Sequence, residues 1–169
     1  MQYDRGFLVR TALIASMVLA GAGILTWCVQ IVPAVRISRS DGSVLARIPT
    51  ESGSFAHHFV HSVHKTAVDE IFGIAGPSLH LTGVFYDTYG VGMPSDAGEG
   101  FSISADGRFH VKLDRTFDRI VVRISPLPDH GIVVDGTLYR FSDWAQVGEA
   151  LVLTADRIFT FHTRRGVAR

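Results

Sequence analysis

The sequence predicts an all-β domain, an antiparallel β-sandwich or partly closed barrel, preceded by one N-terminal transmembrane helix. Three observations support this prediction. Three Asp-Gly pairs each separate two short apolar runs, further runs alternate apolar and polar residues, and an uncharged apolar stretch precedes them all. Alternation with a period of two buries one face of a strand, and an apolar stretch of about 20 residues is long enough to cross a bilayer.

The apolar stretch covers residues 11–32 and follows arginines at positions 5 and 10. Such an arrangement is typical of an export signal, and small residues around Ala20 offer a cleavage site. Because apolar residues continue beyond Ala20 to Val32, we expect an uncleaved signal anchor that spans the membrane once. Arginines flank both ends of the stretch, so the short N-terminal tail is the feature that favours an exported domain.

Cys28 is the only cysteine, and it follows the large residue Trp27. A lipid-modified cysteine needs a small residue before it, so we interpret Cys28 as a small apolar side chain. The predicted organisation is a tail and anchor at 1–33, a β domain at 34–162 and a basic tail at 163–169. The formal net charge is zero, without a basic stripe, which argues against nucleic-acid binding.

Hairpins are predicted at the three Asp-Gly pairs, because glycine adopts the positive φ that tight hairpin turns require. The pairs are Asp41-Gly42, Asp106-Gly107 and Asp135-Gly136. Alternation predicts a further strand in which Leu79, Leu81, Gly83 and Phe85 share one face. We expect eight to ten strands in one domain.

Four of the eight histidines lie within residues 55–70. On a helix, His57, His61 and His64 would share a face suited to a metal ion. On strands, His57 and His61 would lie opposite His58 and His64, which separates the ligands. Aromatic and β-branched neighbours favour strands, so we expect polar strand faces and no metal or other cofactor.

Other polar residues receive structural or binding interpretations. Lys65 and Glu70 are expected to form a cross-strand ion pair, and Arg123, within an apolar strand, is expected to bond a specific acceptor. Residues 90–94, GVGMP, lack the strand and helix context of a nucleotide loop and predict a shaped loop that another group approaches closely. No serine lies in a nucleophile elbow, so an enzyme is not indicated. The enzyme alternative that stays open would use His61 as a general base near Glu70.

Three segments of the sequence resemble the bacterial domain-of-unknown-function family eighteen-fifty. They are residues 61–70, HSVHKTAVDE, residues 90–94, GVGMP, and residues 117–126, FDRIVVRISP. The resemblance extends from about residue 35 to residue 153, with Ala67 where the family has proline and His64 where it has an acidic residue. It assigns binding or interaction roles, and no catalytic or metal-ligating ones, to His61, Ser62, Lys65, Glu70, Gly92, Pro94, Arg119 and Arg123.

The resemblance also implies an expected function. Genes of this family frequently lie beside those of TAXI-type TRAP transporters, which implies a periplasmic accessory protein anchored in the bacterial inner membrane through residues 11–32. The expected partner is the transporter's membrane component or its substrate-binding protein, in a system for organic acids. The alternative is a stand-alone β module that holds a small carboxylate through Lys65, Arg119 or Arg123, or a metal ion through histidines.

Overall fold

The computed structural model describes residues 10, 13–17, 29–88, 90 and 100–161. Within these ranges the chain forms eleven β-strands, one more than the upper limit expected from the sequence. The strands are β1 (Val29–Arg39), β2 (Val44–Pro49), β3 (Ser54–Val60), β4 (Ala67–Ala75), β5 (Ser78–Tyr86), β6 (Phe101–Ile103), β7 (Phe109–Phe117), β8 (Ile120–Arg123), β9 (Gly131–Val134), β10 (Thr137–Arg140) and β11 (Ala150–Phe161). A single 3-10 turn, Phe141–Asp143, follows β10.

Two antiparallel sheets make up the fold, so the predicted all-β architecture is confirmed in a sandwich-like form. The first sheet has the order β2-β1-β11-β8 and the second the order β10-β9-β3-β4-β5-β7-β6. The compact unit Val32–Ile158 holds the site described below. In the second unit, Met1–Ile31 with Phe159–Arg169, residues 13–17 are helical and β1 begins at Val29.

The predicted membrane segment, residues 11–32, falls largely outside the described residues. Among the residues that the structure describes, no helix is both long enough and apolar enough to cross a membrane. The predicted basic tail, 163–169, also lies outside them.

All three Asp-Gly pairs connect adjacent hairpin strands, as the sequence predicts. They join β1 to β2, β6 to β7 and β9 to β10. In the last turn Asp135 has φ +45° and Gly136 has φ +82°. Two left-handed central residues match the right-handed twist of the flanking strands. The Asp135 carboxylate also accepts the backbone N–H of Glu51 at 2.8 Å, which ties this turn to the connection between β2 and β3.

The prediction that Leu79, Leu81, Gly83 and Phe85 share one face of β5 is wrong after Leu81. Leu81 is buried as expected, but Val84 is then buried while Phe85 is only half-buried. A bulge at Thr82, whose hydroxyl donates to the Ile71 carbonyl at 3.2 Å, inserts one residue relative to β4. Because side chains alternate along a strand, one inserted residue exchanges the two faces.

A single hydrophobic core contains residues of both sheets. Its fully buried members include Val35, Ile37, Leu79, Tyr86, Ile132, Phe141, Leu151 and Leu153. Burial of each such side chain stabilises the fold by about 1.5–3 kcal/mol. Phe141 packs edge-on against the ring of His130, with centroids 5.0 Å apart, and so joins the core to a cluster of polar side chains.

Candidate functional site

Two buried histidines from distant parts of the sequence meet at one edge of the core. His57 lies in β3 and His130 immediately precedes β9, and each is 8% exposed. Their Nε2 atoms are 3.0 Å apart. The pairing of β3 with β9, which places His58 opposite Gly131, brings the two rings together.

Hydrogen bonds define which nitrogen of each ring carries the proton. The Ser125 backbone N–H donates to His130 Nδ1 at 2.9 Å, so the proton of the neutral His130 ring is on Nε2. That N–H donates to His57 Nε2, which places the His57 proton on Nδ1, where it donates to Glu70 Oε2 at 2.9 Å. Two neutral rings therefore satisfy all four ring nitrogens.

Protonation of His130 is unfavourable. Burial, together with the neighbouring His57 and His58, lowers the pKa of His130 to about 4. An added proton on His130 Nδ1 would place a second donor against the Ser125 N–H. His130 is therefore neutral at neutral pH.

The same geometry argues against metal binding by the pair. A ligating histidine presents a lone pair to the metal, but the His130 lone pair already accepts the Ser125 N–H. In the described ranges, no group of three or more His, Cys, Asp or Glu side chains is placed to hold a metal ion.

A second polar network links β3 and β4 to the residue that precedes β7. His58 Nδ1 lies 2.6 Å from Asp69 Oδ1, and Arg108 donates to Asp69 Oδ2 at 2.6 Å and to Asp87 Oδ1 at 2.7 Å. Burial opposes ionisation of Asp69, but the bonds from His58 and Arg108 outweigh it and lower the pKa of Asp69. The bond to Asp69 raises the pKa of His58 despite partial burial.

A groove of about 430 Å³ lies between the end of β3 and β8. Three aromatic rings, His57, Phe59 and His130, line it and are called the floor here. Four polar residues, His61, Ser62, Arg123 and Ser125, also line it, and the first three are called the rim. Rim and floor together form the candidate site.

Three of the eight residues assigned by resemblance therefore come together, as the rim of the groove. Glu70 reaches the same site indirectly, since its carboxylate accepts from His57 in the floor. The expected acceptor of Arg123 is found, because Arg123 Nη1 donates to the Gly148 carbonyl at 2.6 Å.

The remaining four residues lie elsewhere. Lys65 is exposed in the turn that His61 opens, with φ +59°. Arg119 is exposed just before β8 and does not line the groove. Gly92 and Pro94 lie outside the described residues.

Two expectations for the histidine segment are wrong. β3 ends at Val60, so His61 and His64 occupy a turn, where their rings stack with centroids 4.8 Å apart rather than facing opposite sides of a strand. The expected ion pair does not form either, because Glu70 bonds His57 and Lys65 makes no ion pair with any residue that the structure describes.

The loop at 90–94 is described only at Gly90, and there another group does approach closely. Gly90 has φ +153°, and a Cβ at this position would lie 2.7 Å from Cε1 of His64. Gly90 therefore leaves the space that the imidazole of His64 fills.

Sequence reasoning missed His130 as a site residue and gave His57 no role beyond a polar strand face. His130 lies 73 positions from His57. No spacing or composition signal reveals their contact, since it arises from the pairing of β3 with β9. The contact of His57 with Glu70 is easier to predict from the sequence, because both residues lie within a single hairpin.

Fold and site together define a small all-β domain of two antiparallel sheets with a groove that Arg123 lines beside a hydrogen-bonded histidine pair. The chain belongs to the family described as Domain of unknown function (DUF1850), which matches residues 55–141. This match covers the rim, the floor and Glu70, and it leaves out β1, β2 and β11. No curated protein and no solved structure matches the chain.

Proposed function

We propose that this chain is a periplasmic accessory protein, anchored in the bacterial inner membrane, that contacts a component of a TAXI-type TRAP transporter for organic acids. The observation that carries the proposal is the turn at residues 61–66. It is closed by two backbone hydrogen bonds, from His61 N to Thr66 O at 2.8 Å and from Lys65 N to His61 O at 2.9 Å. The turn is therefore an ordered feature of the surface.

This turn exposes groups that contribute little to folding. Val63 is 65% exposed, and Ser62 and Lys65 are exposed as well. Lys65 adopts a left-handed conformation, which costs a non-glycine residue about 1–2 kcal/mol. Strain together with an exposed apolar side chain and a cation without an ion-pair partner among the described residues is typical of a contact surface. The choice of partner follows the gene neighbourhood that the resemblance to this family implies.

Recovery of partners from native membranes tests the proposal. The tagged full-length chain is purified from gently solubilised membranes, and co-purifying proteins are identified by mass spectrometry. We expect a TRAP membrane subunit or its binding protein to be recovered with the wild-type chain and to be lost with Val63→Asp. Ile103→Asp is the matched control, since Ile103 is 62% exposed on β6, away from the turn.

Two results would count against the proposal. Absence of every TRAP component from the wild-type sample would overturn the accessory function. Equal recovery by wild type and Val63→Asp would retain the partner and overturn the assignment of the turn as its contact.

A further inference from the structure

We infer that the groove between β3 and β8 binds a small organic carboxylate with an apolar body, the carboxylate at Arg123 and the body on the aromatic floor. This inference concerns the isolated chain and does not require a transporter partner. It rests on the charge of the rim, the hydrogen-bonding state of the floor and the size of the groove.

Arg123 is an anchored cation without a counter-ion. Its Nη1 donates to the Gly148 carbonyl at 2.6 Å, and no carboxylate among the described residues pairs with it. A guanidinium has five N–H donors in a planar fork, so one bond to a carbonyl leaves most of them free. This fork matches the two oxygens of a carboxylate.

The other rim residues are also donors. His61 Nδ1 accepts the backbone N–H groups of Val63 and His64, each at 3.3 Å, so the proton of the neutral His61 ring is on Nε2. The Ser62 hydroxyl is exposed and bonds no described residue. No acidic side chain is among the described residues that line the groove. The rim therefore favours an anion.

The floor favours an apolar body on that anion. The ring centroid of His57 lies 5.1 Å from that of Phe59 and 5.2 Å from that of His130. The two histidines use all four of their ring nitrogens internally, so they have no free donor or acceptor for a ligand. A second charged group or a sugar would find no partner on this floor, whereas an aryl or alkyl group can pack against Phe59, the one ring of the floor that is only partly buried.

The size of the groove suits a small molecule. Its volume of about 430 Å³ lies within the range of roughly 300–1,000 Å³ that small-molecule sites occupy. Val121, on β8, lines the same groove and is 60% exposed, so it adds an apolar wall that a bound ligand would cover.

Benzoate is the probe for this inference, and benzamide is its neutral control of equal shape. Binding to the purified full-length chain is measured by calorimetry and by the shift in melting temperature, which a ligand of the native state raises by mass action. We expect benzoate to bind and benzamide to bind at least tenfold more weakly. Arg123→Gln should weaken benzoate binding at least tenfold, while Arg115→Gln, which alters an exposed arginine on β7 outside the groove, should leave it unchanged.

Ser62→Glu provides a second variant in case Arg123→Gln does not fold. Ser62 is exposed, so a glutamate there should leave the melting temperature unchanged while its negative charge abolishes benzoate binding. The inference is overturned if benzoate does not bind the wild-type chain. It is also overturned if benzamide binds equally well, or if Ser62→Glu retains full affinity.

Discussion

His57 Nε2 and His130 Nε2 lie 3.0 Å apart in a buried contact that only one arrangement of protons allows. The Ser125 N–H occupies the lone pair at His130 Nδ1, so His130 must donate to His57 and His57 must donate to Glu70. The contact therefore couples the stability of the fold to the protonation of a single pair of rings.

The first prediction concerns pH. In the unfolded chain a histidine has a pKa of about 6.5, whereas burial lowers that of folded His130 to about 4. Between these values the unfolded chain binds a proton that the folded chain does not. Stability should therefore fall as the pH drops from about 6.5 to about 4, by up to about 1.4 kcal/mol per pH unit. Denaturant unfolding of the full-length chain across this range measures the slope.

A variant isolates the contribution of His130. His130→Gln keeps a side-chain oxygen that can accept the Ser125 N–H but removes the titrating ring, so the slope should decrease by about one proton. His80→Gln is the control, because His80 pairs with Asp114 at the surface, with 2.6 Å between Nε2 and Oδ1. If His130→Gln left the dependence of unfolding free energy on pH unchanged, groups other than His130 would cause the loss of stability in acid.

The second prediction separates the charge of Glu70 from its hydrogen bond. Glu70→Gln keeps an oxygen that accepts the His57 Nδ1–H, whereas Glu70→Leu leaves this N–H, in a residue only 8% exposed, without an acceptor. We expect Glu70→Leu to cost about 1–3 kcal/mol of unfolding free energy and Glu70→Gln less than about 1 kcal/mol. Equal losses in the two variants, measured at pH 7, would contradict the proposed donor at His57 Nδ1.

Local sequence signals predicted the three Asp-Gly hairpins but not the contacts of His57 and His58. A turn near Thr66 that pairs Val60 with Ala67 places His57 opposite Glu70 and His58 opposite Asp69, as the structure has them. The sequence alone did not define where this turn begins. The expected strand therefore ran through His61 and His64, and Glu70 was paired with Lys65.

Local sequence signals do not predict contacts between strands that are distant in the sequence. The order of the second sheet places β9 beside β3, and the sequence contains no pattern that specifies this neighbour. The histidine pair depends on that placement, so His130 was missed. The bulge at Thr82 was missed for a related reason, because a threonine in an alternating run looks like any exposed strand residue.

The third prediction concerns the close approach of β9 to β10. A Cβ at Gly131 would lie 2.2 Å from the carbonyl oxygen of Tyr139, a backbone atom that cannot rotate away. Gly131→Ala should therefore displace this hairpin and lower the unfolding free energy by about 1–3 kcal/mol. Since Gly131 follows His130 directly, the nitrogen resonances of the His57 and His130 rings should shift as well.

Gly73→Ala is the matched control for this prediction. Gly73 lies in β4, where the nearest atom to an added Cβ is the His80 carbonyl oxygen at 4.0 Å, an ordinary contact. We expect no loss of stability in this variant, because alanine is better suited than glycine to a strand interior. A Gly131→Ala protein as stable as Gly73→Ala would contradict the close approach.

The fourth prediction concerns the network around Arg108. The carboxylate of Asp69 raises the pKa of His58 through a 2.6 Å contact, whereas burial lowers it. Asp69→Asn removes the charge but keeps an oxygen at this position, so the pKa of His58 should fall. Asp87→Asn removes the second carboxylate bonded to Arg108. Because the Asp87 carboxylate does not contact His58, this variant should leave the pKa of His58 nearly unchanged. NMR titration of the His58 ring distinguishes the two variants.

The network around Arg108 also makes the stability of the fold depend on pH, in the direction opposite to that of His130. A histidine whose folded pKa is raised binds a proton more tightly when folded, so its contribution is complete below about pH 6.5 and is lost as the pH rises through the folded value. Stability of the wild-type chain should therefore decrease as the pH rises above about 6.5, and Asp69→Asn should remove this decrease. Persistence of the decrease in Asp69→Asn would show that His58 and Asp69 do not form the pair that controls it.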